Sequence, residues 1–305
     1  MNNIHFNNVG DMNGSKVFSD NKINTNAGPD GPSIHETEED KKRKHFHFLI
    51  VVALEEEIEV FEEAGKGHFT FQDGLFLYNY NYYPFDLESK TKSTLNGLIG
   101  YTGKAGHHDA RTLIRKALDE FKVDLIVSIG ISGGLKDVNI GDVVIATEVT
   151  DYNYNKKVTD GRDLYQIKTY PINEKITNRI DFRKKKEIVG NFKAENKIHQ
   201  GNILSSNEVM GSDSYKKQIE ESTGTRKALA VDQESYAVVQ EVDVMNETVG
   251  AKRVEVFVVR GISDMSDLKK NDIHQQSSDE NRKRAMHNAT IALLYMLENE
   301  FWKTG

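Results

Sequence analysis

Four short stretches of the 305-residue chain place acids, hydroxyls and glycines at the ends of apolar runs. Leu54-Glu55-Glu56-Glu57 closes the run that starts at His45, and Gly130-Ile131-Ser132-Gly133-Gly134 follows Leu125–Ile129. Val231-Asp232-Gln233-Glu234-Ser235 puts two acids at a strand-to-helix junction, and Arg260-Gly261-Ile262-Ser263-Asp264, with Asp267 beyond, follows VEVFVV. Carboxyl groups, hydroxyls and an arginine together can donate or accept a proton and accept hydrogen bonds from a ligand. Each stretch also has a plainer explanation. Consecutive glutamates suit a helix N-terminus, a glycine cluster suits a tight turn, and Asp232 suits a helix cap. The fourth stretch resists such a reading, because its charges follow a buried strand at the sheet end where open α/β folds place function.

The elements that must carry these stretches follow from hydrophobic pattern. His45–Leu54 reads as a buried parallel strand, and Glu55–Ala64 as the helix after it. Residues 69–87 alternate aromatic and polar positions around a turn expected at Asp73-Gly74, as in a hairpin. Further strands are expected at Leu95–Tyr101, Leu125–Ile129, Asp142–Thr147, Ile203–Ser205, Ala228–Val231 and Val254–Val259. Helices are expected around Asp109–Phe121, near 172–190, and over Ser235–Asn246 and Asn281–Phe301. This alternation predicts an α/β fold: a mostly parallel, doubly wound sheet flanked by helices, with ligands at the strand ends.

Composition divides the chain further. Residues 1–33 are rich in Asn, Gly, Ser and Asp and cannot bury enough apolar surface to offset ordering, so they read as a disordered tail. Their spaced apolar residues also resemble amyloid-signalling segments of bacterial defence proteins, which would make the tail a segment for self-assembly or partner binding. Residues 34–44 read as a charged linker and 45–305 as the folded domain. The absence of cysteine excludes disulfides and thiolate chemistry and fits a cytoplasmic protein. A net charge of −7 argues against nucleic acid as partner, and no run approaches a membrane span. His45 with His47, and His107 with His108, lack the carboxylate spacing of a metal site, and no cofactor is called for.

In order and spacing, VVALEEEIEVF, GISGGL with NIGDVVIATEV, VDQESYAVV and VVRGISDMSD resemble the phosphorylase/nucleosidase superfamily, specifically its methylthioadenosine/S-adenosylhomocysteine nucleosidase branch. The match runs from about His45 to Trp302 and implies a nucleoside phosphorylase-like fold, cleavage of a purine N-glycosidic bond, and a homodimer. It assigns protonation of purine N7 to Asp264, oriented by Ser263, and placement of the attacking water to Glu57, assisted by Arg260. It assigns the ribose hydroxyls to Glu234, with Gln233 beneath the sugar. Gly130, Ile131 and Ser132 form the central glycine turn, and Val209 and Met210 lie near the purine.

Phosphorylases of this superfamily carry a phosphate loop after the first strand. Leu54 and three glutamates stand there instead, so the expected reaction is hydrolysis. The chain departs from the branch at Ile131, where a small polar residue is usual, at Gln233 in place of methionine, and in its long basic stretch 152–192. Lys156, Lys157, Arg162 and Lys168 are either solvated loop charges or, in part, ligands of a 5′-phosphate. Three readings follow: a purine nucleoside or nucleotide hydrolase acting in antiphage defence, a housekeeping methylthioadenosine/S-adenosylhomocysteine nucleosidase, or a non-catalytic nucleotide sensor on the same fold.

Overall fold

The computed structural model describes residues 43–152, 155–157, 163–165, 167–192, 195–207, 227–247, 253–266 and 275–303. All of them lie in the unit Glu36–Gly305. The tail and most of the linker fall outside the described residues. The strands, in chain order, are β1 (Lys44–Val52), β2 (Leu75–Leu77), β3 (Tyr80–Glu88), β4 (Thr94–Tyr101), β5 (Phe121–Gly134) and β6 (Val143–Asp151). They continue with β7 (Asn155–Lys157), β8 (Asp163–Tyr165), β9 (Lys168–Pro171), β10 (Ile198–Ser205), β11 (Ala230–Asp232) and β12 (Glu255–Asp264). The helices are α1 (Glu55–Ala64), α2 (His107–Glu120), α3 (Glu174–Thr177), α4 (Phe182–Val189), α5 (Ser235–Asn246) and α6 (Gln275–Glu298).

Strand alternation explains the layers. On β1, Phe48, Ile50 and Val52 pack into a cluster with Ile58 and Phe61 of α1 and Met286, Leu293 and Leu297 of α6. Leu49 and Val51 point the other way, against Ala110, Leu113 and Ala117 of α2 and Ala237, Val238 and Val242 of α5. The sheet order is β11-β10-β6-β12-β5-β1-β4-β3-β2. Pairing is parallel across β4-β1-β5-β12 and across β6-β10-β11, and β12 meets β6 antiparallel. The short strand β11 also pairs antiparallel with the end of β5, through Ala230–Gly134 and Val231–Gly133. Strands β5, β12, β6, β10 and β11 therefore close into a ring at the C-terminal end of the parallel strands.

Several sequence expectations are corrected. The hairpin turns at Tyr78-Asn79, both with positive φ (53° and 71°), not at Asp73-Gly74, which precedes β2. Asparagine tolerates this left-handed geometry better than most residues. The region near 172–190 holds two short helices, α3 and α4, not one. Helix α6 starts at Gln275, six residues earlier than expected.

The largest correction concerns the glycines. Gly130–Gly134 is not a turn but the continuation of β5, and Arg260–Asp264 lies within β12, paired with it. None of Gly130, Gly133 and Gly134 has positive φ. They are needed for space: a Cβ on Gly133 would sit 1.8 Å from Ser266 Oγ, and one on Gly130 would sit 2.6 Å from Arg260 Nη1 and 2.8 Å from Glu57 Oε1. Among the described residues, no helix is long and apolar enough to cross a membrane.

Candidate active site

Glu57 serves its own helix first. It is the third residue of α1, and its Oε2 accepts the backbone N–H groups of Ala53 and Leu54, each at 3.0 Å, closing the helix entry after β1. Its Oε1 accepts the N–H of Ile131 at 3.0 Å, which ties α1 to β5. The helix-entry explanation of the acidic run is therefore correct for Glu57, and the same contacts fix its carboxylate at the cleft. Burial pushes its pKa above the usual glutamate value, against the pull of Arg260 and the three amides.

Arg260 lies beneath the cleft and is 2% exposed. Its Nε donates to Asp232 Oδ2, and its Nη2 donates to Ser128 Oγ at 2.8 Å and lies 3.6 Å from Glu234 Oε2. With Glu57 adjacent across Gly130, one guanidinium holds three carboxylates. Truncating it would leave buried charges without a partner. The N-cap of α5 is Glu234, not Asp232; Asp232 ends β11, accepts from the N–H and hydroxyl of Ser235 and anchors Arg260.

Asp264 is presented by an irregularity in the ladder. Ile262 pairs with Ser132 but Asp264 pairs with Gly133, so one residue of β12 is extra. That residue is Ser263, whose Oγ lies 3.2 Å from the Ser132 carbonyl and 3.1 Å from Asp264 Oδ2. Oδ1 of Asp264 accepts the Ser266 N–H at 3.0 Å. Asp264 abuts Gly133 and Glu57 abuts Gly130, so the two acids meet β5 three residues apart, a rise of roughly 10 Å along the strand.

The cleft between them measures about 200 Å³ and is lined by Glu57, Ile131, Ser132, Gln233, Glu234, Ser263 and Asp264, among others. Gly130 and Arg260 do not line it; they support it from below. Ser132 faces it with a buried Oγ that has no hydrogen-bond partner among the described residues. Val209, Met210 and Arg162 lie outside the described residues. Lys156 and Lys157 belong to β7, and only their backbone is described.

Further residues complete the site, beginning with the glycine-containing entry to α2. The N–H of Gly106, at φ 132°, donates to Glu234 Oε1 at 3.1 Å at the start of α2. Next to it the buried His107 ring bonds Ser205 Oγ at 3.2 Å, and that hydroxyl accepts the Tyr236 N–H at 3.1 Å. Burial lowers the His107 pKa below the ordinary histidine value, so the ring is neutral at pH 7. Together these contacts seat the Glu234 loop against α2. Arg282 of α6, paired with Glu56, is the cation among the described residues lining the cleft.

Burial pushes Glu234 up to about 8, opposed by Arg260 and reinforced by Asp232 and Glu57. Below the ordinary value of 4.5 the carboxyl is protonated in folded and unfolded chains alike. Between 4.5 and 8 the unfolded chain ionises first, so stability falls as pH rises, and above 8 the loss is complete. Glu234→Gln is therefore expected to match wild type in urea unfolding at pH 4 and to be the more stable of the two at pH 8. Equal stability at both pH values would show that Glu234 is ionised in the folded protein.

Comparison with known proteins agrees with this fold. A curated 5′-methylthioadenosine/S-adenosylhomocysteine nucleosidase of Maridesulfovibrio salexigens is 25% identical over 186 residues, covering 59% of this chain and 72% of the relative. The same-named enzyme of Neisseria meningitidis, solved with methylthio-immucillin-A, superposes with a TM-score of 0.63 at 21% identity, covering 84% of this chain and 99% of that one. Futalosine hydrolase of Helicobacter pylori superposes with a TM-score of 0.63 at 19% identity, covering 83% and 97%. The family model of the Phosphorylase superfamily matches residues 47–298, and the chain belongs to that superfamily.

Proposed function

We propose that the chain hydrolyses the N-glycosidic bond of a purine, in particular adenine, nucleoside or nucleotide and releases the free base. One observation carries this reading: Glu57, Glu234 and Asp264 converge on a single cleft. Asp264 gives a proton to N7 of the purine as the C1′–N9 bond breaks. Glu234 accepts hydrogen bonds from the ribose hydroxyls. Water attacks C1′ and gives its proton to Glu57, whose raised pKa makes it a better base. The buried Arg260 holds Glu57 and Glu234 in place from below without touching substrate. Water is favoured over phosphate as acceptor by the acids at the end of β1.

The test is chromatography for free base after incubation with adenosine, methylthioadenosine, AMP, ATP and their guanine counterparts in phosphate-free buffer. Adenine is the expected product, with a rate unaffected by added phosphate. Acceleration by phosphate would make the protein a phosphorylase, and no base from any substrate would favour a nucleotide-binding sensor. Adenine from methylthioadenosine alone would mark a housekeeping enzyme, as the names of its relatives suggest.

The Asn-rich composition of residues 1–33 supports a more specific reading. In it the tail assembles a nucleotide-depleting antiphage effector, joined by the 34–44 linker to a cytoplasmic, homodimeric nucleosidase domain at 45–305. Deleting residues 1–33 is expected to preserve turnover in vitro and abolish assembly in cells. Loss of turnover would make the tail part of the catalytic fold.

A further inference from the structure

A second cavity of about 270 Å³ opens between α1 and α6. Glu59, Val60, Asp279, Lys283 and Met286 form its outer walls. It shares Glu57, Ile131 and Arg282 with the first cleft, and it shares nothing with the Asp264 end. The two cavities therefore meet at the carboxylate that takes the acceptor's proton. Displacement at C1′ brings the acceptor in from the face away from the departing purine. A nucleoside lying between Asp264 and Glu57 fills the first cleft, so the acceptor must reach Glu57 from elsewhere. The second cavity lies on that side, with polar and charged walls. Its volume exceeds the roughly 30 Å³ that one water occupies in the liquid several-fold. Arg282, bonded to Glu56, stands where the two spaces join.

We propose that this second cavity is the acceptor subsite, supplying water to Glu57 and roomy enough to supply small alcohols. The inference rests on the glycosidase reading above and gives the enzyme a further activity, alcoholysis. The oxygen of the alcohol bonds to C1′ and its proton passes to Glu57. The C1′–N9 bond breaks, N7 takes the proton of Asp264, and the products are an alkyl riboside and free purine. Exchange with solvent restores both carboxyl groups.

The test uses the full chain with whichever of adenosine, methylthioadenosine and AMP releases base fastest, with methanol added. Base, free sugar and methyl glycoside are quantified together. The expected glycoside-to-sugar ratio exceeds the methanol-to-water mole ratio several-fold. Val60→Trp, on the half-buried wall, is expected to slow base release about tenfold and to return the product ratio to the bulk value, with adenine affinity unchanged. Glu59→Trp fills the same space from an exposed position and serves if Val60→Trp fails to fold. A wild-type ratio at the bulk value, or fillers that change neither rate nor ratio, would overturn the subsite and leave the hydrolase intact. No base release by wild type would overturn both.

Discussion

Asp264→Asn is expected to lower base release by about 10³-fold while leaving adenine affinity within about threefold. The substitution keeps the shape of the side chain and both neighbours. Its carbonyl can still accept the Ser266 N–H, and its amide can donate to Ser263 Oγ, which reaches the Ser132 carbonyl. The amide can also donate a hydrogen bond to N7, so ground-state binding survives. It has no proton to give up, so the purine must leave as an anion. Paired single-turnover and equilibrium-binding measurements separate the two effects. Equal loss of both would make Asp264 a binding residue, and retention of full turnover would remove it from the chemistry.

Glu57→Gln is expected to cost about 10²–10³-fold in kcat/KM and to remove a limb of the pH profile. Because burial raises the Glu57 pKa, the wild-type rate should rise with pH through a midpoint above 4.5, as the carboxyl loses its proton and becomes a base. In the variant that limb should vanish. The exchange also has a structural price. One amide oxygen can still accept the N–H groups of Ala53 and Leu54, but the new NH₂ faces the N–H of Ile131, donor against donor. A stability loss of about 1–3 kcal/mol is expected from that unpaired contact. Urea unfolding of Glu57→Gln measures it, and an unchanged pH limb would move the base role to another group.

Much of this site was legible because apolar runs and the polar residues ending them are local features. The acids of α1 follow a strand, and the Asp232–Ser235 junction and the Ser263-Asp264 pair end one, in each case a strand that hydrophobicity alone reveals. The Gly130–Gly134 stretch was misread as a turn, because a glycine cluster looks the same whether it supplies unusual φ or mere space. Only the packing of Arg260, Glu57 and Ser266 against it distinguishes the two. Likewise nothing local in ENRKRAM marks Arg282, whose position depends on how α6 lies over α1. The amide of Gly106 was unreadable for the same reason, since its partner Glu234 is 128 residues away.

Strand β11 has three residues, and at the rim of an open sheet such a piece would fray readily. Here it is the closing member of the ring, with β10 on one side and β5 on the other. Opening it means breaking two ladders together, so its brevity does not translate into mobility. The amides of Ala230 and Val231 should exchange with solvent on the timescale of the central strands. The same closure keeps Asp232 seated against Arg260, so the cleft's charge cluster is held rigid.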